Sequence, residues 1–207
     1  MTNPTSSRAT GEIVHRLPRA HVHLFQHNKA PDAYYNEKGC GAFTTSMALS
    51  FYDPPRFGTY ASARAIFDSM LKVPFFGGTF ESQNASIGRR FNFATDNYDH
   101  GHPADLAAAI DCEAPTILLV NPNSFGIGQH DVLLVGYSAD AQGRLINFFV
   151  DNPGVASDTQ TAPPGLSYPG NETYPVATLP KRWTRCFTPF FPSRDIHLKW
   201  RMLTNRL

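Results

Sequence analysis

The chain has 207 residues and a formal net charge of +1, from 18 Lys and Arg against 17 Asp and Glu. A chain so close to neutral lacks the strong positive charge typical of proteins that bind nucleic acids or membrane surfaces. No apolar run approaches the length of a membrane span. Three cysteines are an odd number for a disulfide framework. We expect a globular protein without nucleic-acid or membrane partners, and the sequence does not indicate its oligomeric state.

The N-terminal segment, residues 1–20, is polar and aperiodic, which predicts a flexible arm. The remainder, residues 21–207, is long enough for a single domain with a sizeable core. Within it, residues 154–181 are rich in Pro, Gly, Ser and Thr and are expected to be irregular. The opening residues lack the apolar stretch of a secretory signal, so we expect a cytoplasmic protein or an effector exported without a cleaved signal.

Helices are predicted in the first half of the domain. Phe43, Met47 and Phe51 follow a four-residue spacing typical of one helical face, and this helix begins beside Gly39-Cys40-Gly41. Asp53-Pro54-Pro55 is expected to end it. Two more helices are predicted over residues 61–71 and 103–110, and residues 72–84 are expected to form a loop with a short strand.

Strands are predicted in the second half. The apolar runs at residues 115–120, 131–137 and 145–150 indicate buried strands, and the turn at 138–143 joins the last two as a hairpin. Residues 196–202 are predicted to form a closing strand. Helices followed by strands favour an α+β fold in one domain, with helix packed on a mostly antiparallel sheet.

Cys40 and His130 are the first candidates for chemistry. A thiol at a helix N-terminus is favoured as a thiolate, because unpaired backbone N–H groups point at it. His130 opens one hairpin strand, and Asp151-Asn152-Pro153 ends its partner. Since a hairpin brings its open ends together, His130 is expected near Asp151 or Asn152. This pattern supplies a nucleophile, a base and an orienting group. Cys112 and Cys186 lack this context.

These segments resemble a known family. The segment GCGAFTTSMALSFY is similar to the nucleophile helix of papain-like thiol hydrolases, in particular the C39-like peptidases. The segment QHDVLLVGYSADAQGRLINFFVDNPG resembles their base histidine, hairpin and terminal Asp/Asn-Pro. The resemblance covers about residues 34–153. It implies a papain-like fold in which Cys40 is the nucleophile and His130 the general base.

The third member of the implied triad is open between two neighbours. The family's residue stands immediately before the proline, which is Asn152 here, and strand alternation places Asn152 on the same face as Val150 and Phe148. A frayed strand end would favour Asp151 instead. The two residues are therefore both retained as catalytic candidates.

The sequence departs from the family at the oxyanion donor. The family commonly has a glutamine about six residues before the cysteine, and that position is Tyr34 here. Asn36 and Gln26 are the candidate replacements, assisted by the Cys40 backbone N–H. Candidates for a substrate groove are Phe76, Gly77 and Gln129.

Two other patterns carry weaker hypotheses. His21, His23 and His27 have spacing that could hold zinc, but no fourth ligand lies nearby in sequence, and surface histidines explain them as well. Asn171-Glu-Thr173 matches a glycosylation acceptor.

The sequence therefore predicts a cysteine-dependent hydrolase that cleaves an amide or peptide bond through an acyl-thioester, with no metal or organic cofactor. Its partner would be a peptide, protein or small amide substrate. Three alternatives stay open: a glutamine deamidase or an amide acyltransferase on the same scaffold, a catalytically silent papain-like binding domain, and a small zinc-binding protein.

Overall fold

A computed structural model describes residues 11–19, 21–26, 38–71, 82–121, 129–155 and 170–204. Within these residues, the strands build one antiparallel sheet of six strands in the order β5-β4-β3-β2-β6, with β1 also paired to β3. The strands are β1 Ile13–Arg16, β2 Thr116–Val120, β3 His130–Ala139, β4 Leu145–Asp151, β5 Glu172–Pro175 and β6 Trp183–Pro189.

The helices of the described residues are α1 Cys40–Ser50, α2 Pro54–Phe57, α3 Tyr60–Ser69, α4 Ser82–Arg90, α5 Pro103–Asp111 and α6 Arg194–Thr204, with a short 3₁₀ helix at Leu179–Lys181. Local capping sets several starts. The Asp53 side chain accepts from the Arg56 backbone N–H, so the Asp-Pro-Pro segment that ends α1 also begins α2. Thr59 and Ser62 form a capping box at α3.

Helices cover both faces of the sheet. On one face, the Thr44 hydroxyl of α1 donates to the Asp131 carbonyl of β3, and Asn84 of α4 donates to the Asp131 carboxylate. On the other, the Tyr137 hydroxyl donates to Asp111 at the end of α5. Helix α1 lies at the centre, since residues 41–50 are all buried. An α+β architecture with a helix packed on an antiparallel sheet is what the sequence predicts.

The predicted N-terminal arm needs correction over four residues. Ile13–Arg16 form β1, which pairs with residues 136–139 of β3. Strand β2 pairs only with residues 130–134, so it leaves the second half of the longer β3 strand with an open edge. Strand β1 covers this open edge and is held there by backbone hydrogen bonds to β3. The polar sequence of the arm gave no indication of this pairing. Residues 1–10 and 20 lie outside the described residues.

The predicted closing strand at residues 196–202 is wrong, because this segment lies in helix α6. Its apolar residues alternate, but Leu198 and Met202 are 47% and 60% exposed. The buried side chains are His197 and Trp200, three residues apart, and Trp200 packs against Phe187. The strand that closes the sheet is β6.

Helix α4 was not predicted, and its first residues fall in the expected loop. The segment is polar, and its buried face consists mainly of small or polar residues, with Ile87 as its one large aliphatic side chain. The loop residues 72–81 lie outside the described residues. Among the described residues, no helix is both long and apolar enough to cross a membrane.

Candidate active site

Cys40 is the first residue of α1, and Gly39 precedes it as the N-cap. One turn later, the Thr44 hydroxyl lies 2.8 Å from the Cys40 carbonyl oxygen and 3.0 Å from the Asp131 carbonyl oxygen. This bridge fixes the start of the helix beside the start of β3, where His130 is the adjoining residue. The structure thus brings the predicted nucleophile and base to one end of the sheet.

The electrostatics of Cys40 differ from the thiolate expected from its position. Backbone N–H groups of Asp131, Gly41 and Cys40 do lower the pKa of the thiol, as a helix N-terminus should. They are outweighed by desolvation, followed by the negative charge of Asp131, which together raise the pKa to about 12. Desolvation is the larger of these two causes, although the residue as a whole is partly exposed. The resting form is therefore the neutral thiol.

His130 is hydrogen-bonded to Asn152 across the open ends of β3 and β4. Its Nε2 lies 2.7 Å from Asn152 Oδ1. Because a side-chain amide oxygen only accepts, Nε2 carries the proton and Nδ1 is left as the basic nitrogen of the neutral ring. The hydrogen bond thus holds the neutral histidine in the Nε2–H tautomer.

Both ends of the Asn152 side-chain amide are hydrogen-bonded. Its Oδ1 also accepts from the Gly154 backbone N–H at 2.8 Å, and its Nδ2 donates to Glu172 Oε2 at 3.0 Å. A Cβ placed on Gly154 would lie 3.1 Å from Asn152 Oδ1 and 3.7 Å from His130 Nε2. The glycine therefore lets the backbone approach the His130–Asn152 pair closely.

Asp151 contacts a different set of residues. Its carboxylate pairs with His21 Nε2, accepts from the Asn171 backbone N–H at 3.0 Å, and lies 3.9 Å from His23 Nδ1. Asp151 is only 4% exposed. Of the two neighbours that the sequence left open, Asn152 contacts His130, whereas Asp151 contacts His21 and His23 at the start of the domain.

Asn171 holds the backbone around Asn152. Its Oδ1 accepts from the Asn152 N–H at 2.8 Å, and its Nδ2 donates to the Asn152 and Val155 carbonyls at 3.1 and 3.0 Å. At 4% exposure, this side chain is an internal clamp, so the glycosylation acceptor suggested by the sequence is buried in the folded chain.

Two of the other predicted site residues, Gln26 and Gln129, lie among the residues that the structure describes. Gln26 is buried, and its backbone N–H donates to the Pro153 carbonyl at 2.7 Å, next to Asn152. Gln129 is exposed immediately before His130. Asn36, Phe76 and Gly77 lie outside the described residues.

The histidine cluster does not form a metal site within the described residues, where no group of three or more potential ligands could hold an ion. His21 is engaged by Asp151, and His23 Nε2 lies 2.9 Å from the Val155 carbonyl. His27 lies outside the described residues. The two described histidines anchor the first segment of the domain to the end of β4.

Three site residues were missed at the sequence level: Gly154, Asn171 and Glu172. Gly154 follows the Asp-Asn-Pro motif and could have been found from it. Asn171 and Glu172 carry no local signal, because they lie in the segment 154–181 that was expected to be irregular. That expectation needs correction, since Glu172–Pro175 forms β5 and Leu179–Lys181 forms a 3₁₀ helix, while residues 156–169 lie outside the described residues.

Neither a protein-family model nor a curated protein matches the chain. Among solved structures, the chain is similar to the peptidase domain of Streptococcus ComA, a bifunctional ABC transporter involved in a quorum-sensing pathway. The two share 13% sequence identity at a TM-score of 0.53, over 84% of this chain and 100% of that one. This likeness concerns the fold and supports the C39-like resemblance at that level. The fold of the chain is a papain-like α+β fold.

Proposed function

We propose that the chain is a cysteine-dependent hydrolase that cleaves an amide or peptide bond, with Cys40 as nucleophile, His130 as general base and Asn152 as orienting residue. The observation that carries this proposal is the 2.7 Å contact between His130 Nε2 and Asn152 Oδ1. It stands at the same end of the sheet as the N-terminus of α1, and it leaves Nδ1 as the basic nitrogen.

The chemistry follows from the neutral resting thiol. Because the pKa of Cys40 is raised, proton transfer from Sγ to His130 Nδ1 accompanies attack on the substrate carbonyl. A sulfur–carbon bond forms, and the negative charge on the carbonyl oxygen is met by the Cys40 backbone N–H, with Gln26 as a candidate second donor. The imidazolium then returns the proton to the departing amine, which leaves an acyl-thioester. Water releases the acid and regenerates the thiol.

The proposal is tested by incubating the purified chain with a mixed peptide library and identifying products by mass spectrometry. Cleavage that is lost in Cys40→Ala and retained in Cys112→Ala supports it. Cleavage that survives in Cys40→Ala contradicts it. Transfer of the acyl group to an added amine would instead indicate the acyltransferase, and conversion of glutamine side chains the deamidase.

A catalytically silent binding domain is the second candidate. The raised pKa of Cys40 favours it, since desolvation and then the carboxylate of Asp131 keep the thiol protonated, so that Cys40 is a weak nucleophile unless a base removes its proton. This candidate predicts that Cys40 is no more reactive in the presence of His130 than in its absence.

A further inference from the structure

Glu172 lies on the far side of Asn152 from His130. It is the first residue of β5, and its pairing with Val150 of β4 places it beside the end of that strand. One oxygen of its carboxylate, Oε2, accepts from Asn152 Nδ2 at 3.0 Å and from the Tyr174 hydroxyl at 3.0 Å. Glu172, Asn152 and His130 therefore form a continuous chain of hydrogen bonds.

Tyr174 keeps this carboxylate in place. Burial, followed by the negative charge of Glu172, raises the pKa of the Tyr174 hydroxyl well above its usual range. The hydroxyl therefore stays protonated and remains a donor. The Arg182 guanidinium lies 5.4 Å from the centre of the Tyr174 ring, a contact that also holds the ring in place.

The orientation of the Asn152 amide determines what His130 can do. In the observed orientation, Oδ1 faces two donors and Nδ2 faces an acceptor. A rotated amide would set Nδ2 against the N–H groups of His130 and Gly154, and Oδ1 against the carboxylate of Glu172. Since a carboxylate only accepts, Glu172 disfavours the rotated state.

We propose that Glu172 is a positioning residue that fixes the Asn152 amide and thereby holds His130 in the Nε2–H tautomer. The consequence for catalysis rests on the function proposed above, whereas the effect on the tautomer does not. Without the carboxylate, the Gly154 N–H still favours the observed orientation of the amide, but the rotated state costs less free energy. The neutral histidine then gains partial access to the Nδ1–H form, in which Nδ1 cannot accept the thiol proton.

The first experiment measures the His130 tautomer by nitrogen-15 NMR of histidine-labelled protein at pH 8. We expect wild type to show the Nε2–H form and Glu172→Ala to lose it in part. Glu172→Gln should restore it, because the Gln carbonyl oxygen can still accept from Asn152 Nδ2. Glu113→Gln, beyond the opposite end of β2, is the matched control and should resemble wild type. An unchanged tautomer in a folded Glu172→Ala variant overturns the proposal.

The second experiment exchanges donor and acceptor in the hydrogen bond between residues 152 and 172. Asn152→Asp removes the donor and sets two carboxylates against each other, so the double variant with Glu172→Gln should recover what the single Asn152→Asp variant loses. The readout is the rate at which iodoacetamide alkylates Cys40. Loss or recovery of one hydrogen bond should change this rate by about fivefold. Glu172→Gln should therefore be neutral or harmful alone and beneficial in the Asn152→Asp background. The same small effect in both backgrounds contradicts the proposal.

The two proposals fail in different ways. If Cys40 reactivity does not depend on His130, the hydrolase proposal fails, while the NMR result still tests Glu172. If Cys40 reactivity depends on His130 but neither the tautomer nor the alkylation rate responds to Glu172→Ala, only the positioning role is wrong. Far-ultraviolet circular dichroism of each variant separates these outcomes from unfolding.

Discussion

The two halves of the candidate site are built on different principles. On the helix side, Cys40 has backbone N–H groups nearby, but desolvation and the carboxylate of Asp131 keep its thiol protonated. On the strand side, His130 is held by Asn152, and Asn152 in turn by Gly154, Glu172 and the clamp of Asn171. His130 is thus oriented through a series of hydrogen bonds, whereas the thiol of Cys40 is not ionised in advance.

This difference indicates how the site would work. A preformed thiolate–imidazolium pair would need the charge of the thiolate to be stabilised before substrate arrives. Here the helix N-terminus does not overcome the loss of water around the sulfur. Activation of the thiol would therefore occur by proton transfer during attack, which makes the orientation of His130 the decisive feature.

The largest expected effect comes from removing the nucleophile. Cys40→Ala should lower peptide cleavage by about 10⁴-fold or more, because no other group can form the acyl-thioester. The fold should persist, since alanine is smaller and the helix start keeps its Thr44 bridge. Cleavage assays with the library, together with urea unfolding, check both statements. Cys112→Ala and Cys186→Ala serve as controls and should cleave like wild type.

Removing the base should have the next largest effect. His130→Ala should lower cleavage by about 10³-fold, as expected for the loss of general acid–base catalysis. The neutral thiol of Cys40 makes this loss severe, because little thiolate is available without the base. His102→Ala, on an exposed position at the start of α5, is the control. A His130→Ala variant that retains a tenth or more of the rate would contradict the assignment.

Substitutions at the neighbouring residues Asn152 and Asp151 should affect different properties, the first activity and the second stability. Asn152→Ala should lower cleavage by about 10- to 100-fold, less than the loss of the base itself. Asp151→Asn should instead lower the free energy of unfolding by about 3 kcal/mol, because it breaks a buried pair with His21. Steady-state kinetics and urea unfolding of both variants measure this. The reverse pattern would show that Asp151 acts in the site.

The smallest expected effect concerns the pKa of Cys40, on the helix side of the site. The negative charge of Asp131 raises the pKa of the Cys40 thiol, so Asp131→Asn should lower that pKa and increase the thiolate fraction at any pH below about 12. Iodoacetamide alkylation of Cys40 at pH 8 should then be about two- to fivefold faster. Asp68→Asn, on the surface of α3, should leave it unchanged. A slower reaction in a folded Asp131→Asn variant would contradict this explanation.

Much of the sheet and of the His130–Asn152 contact was predictable from the sequence. The apolar runs at β2, β3 and β4 have few alternatives to buried strands, and a hairpin brings its open ends together whatever its surroundings. The alternation of β4 also favoured Asn152 over Asp151, and it is the Asn152 side chain that contacts His130. These features depend on local pattern and chain connectivity.

The features that could not be predicted depend on distant contacts. Ile196, Leu198 and Trp200 alternate like a strand, but the segment is a helix whose Trp200 packs against Tyr98 and Phe187 from elsewhere in the chain. The pKa of Cys40 depends first on desolvation in the folded chain and then on the carboxylate of Asp131, which is 91 residues away in sequence. Glu172 reaches Asn152 only because β5 pairs with β4.

The most direct test of the account is the alkylation rate of each cysteine in the native protein, read by mass spectrometry, in wild type and in His130→Ala. We expect the rate at Cys40 to fall at least about tenfold in the variant, with the rates at Cys112 and Cys186 unchanged. A Cys40 rate that is the same in both proteins would contradict the coupling of thiol and base, and would leave the chain as a papain-like binding domain.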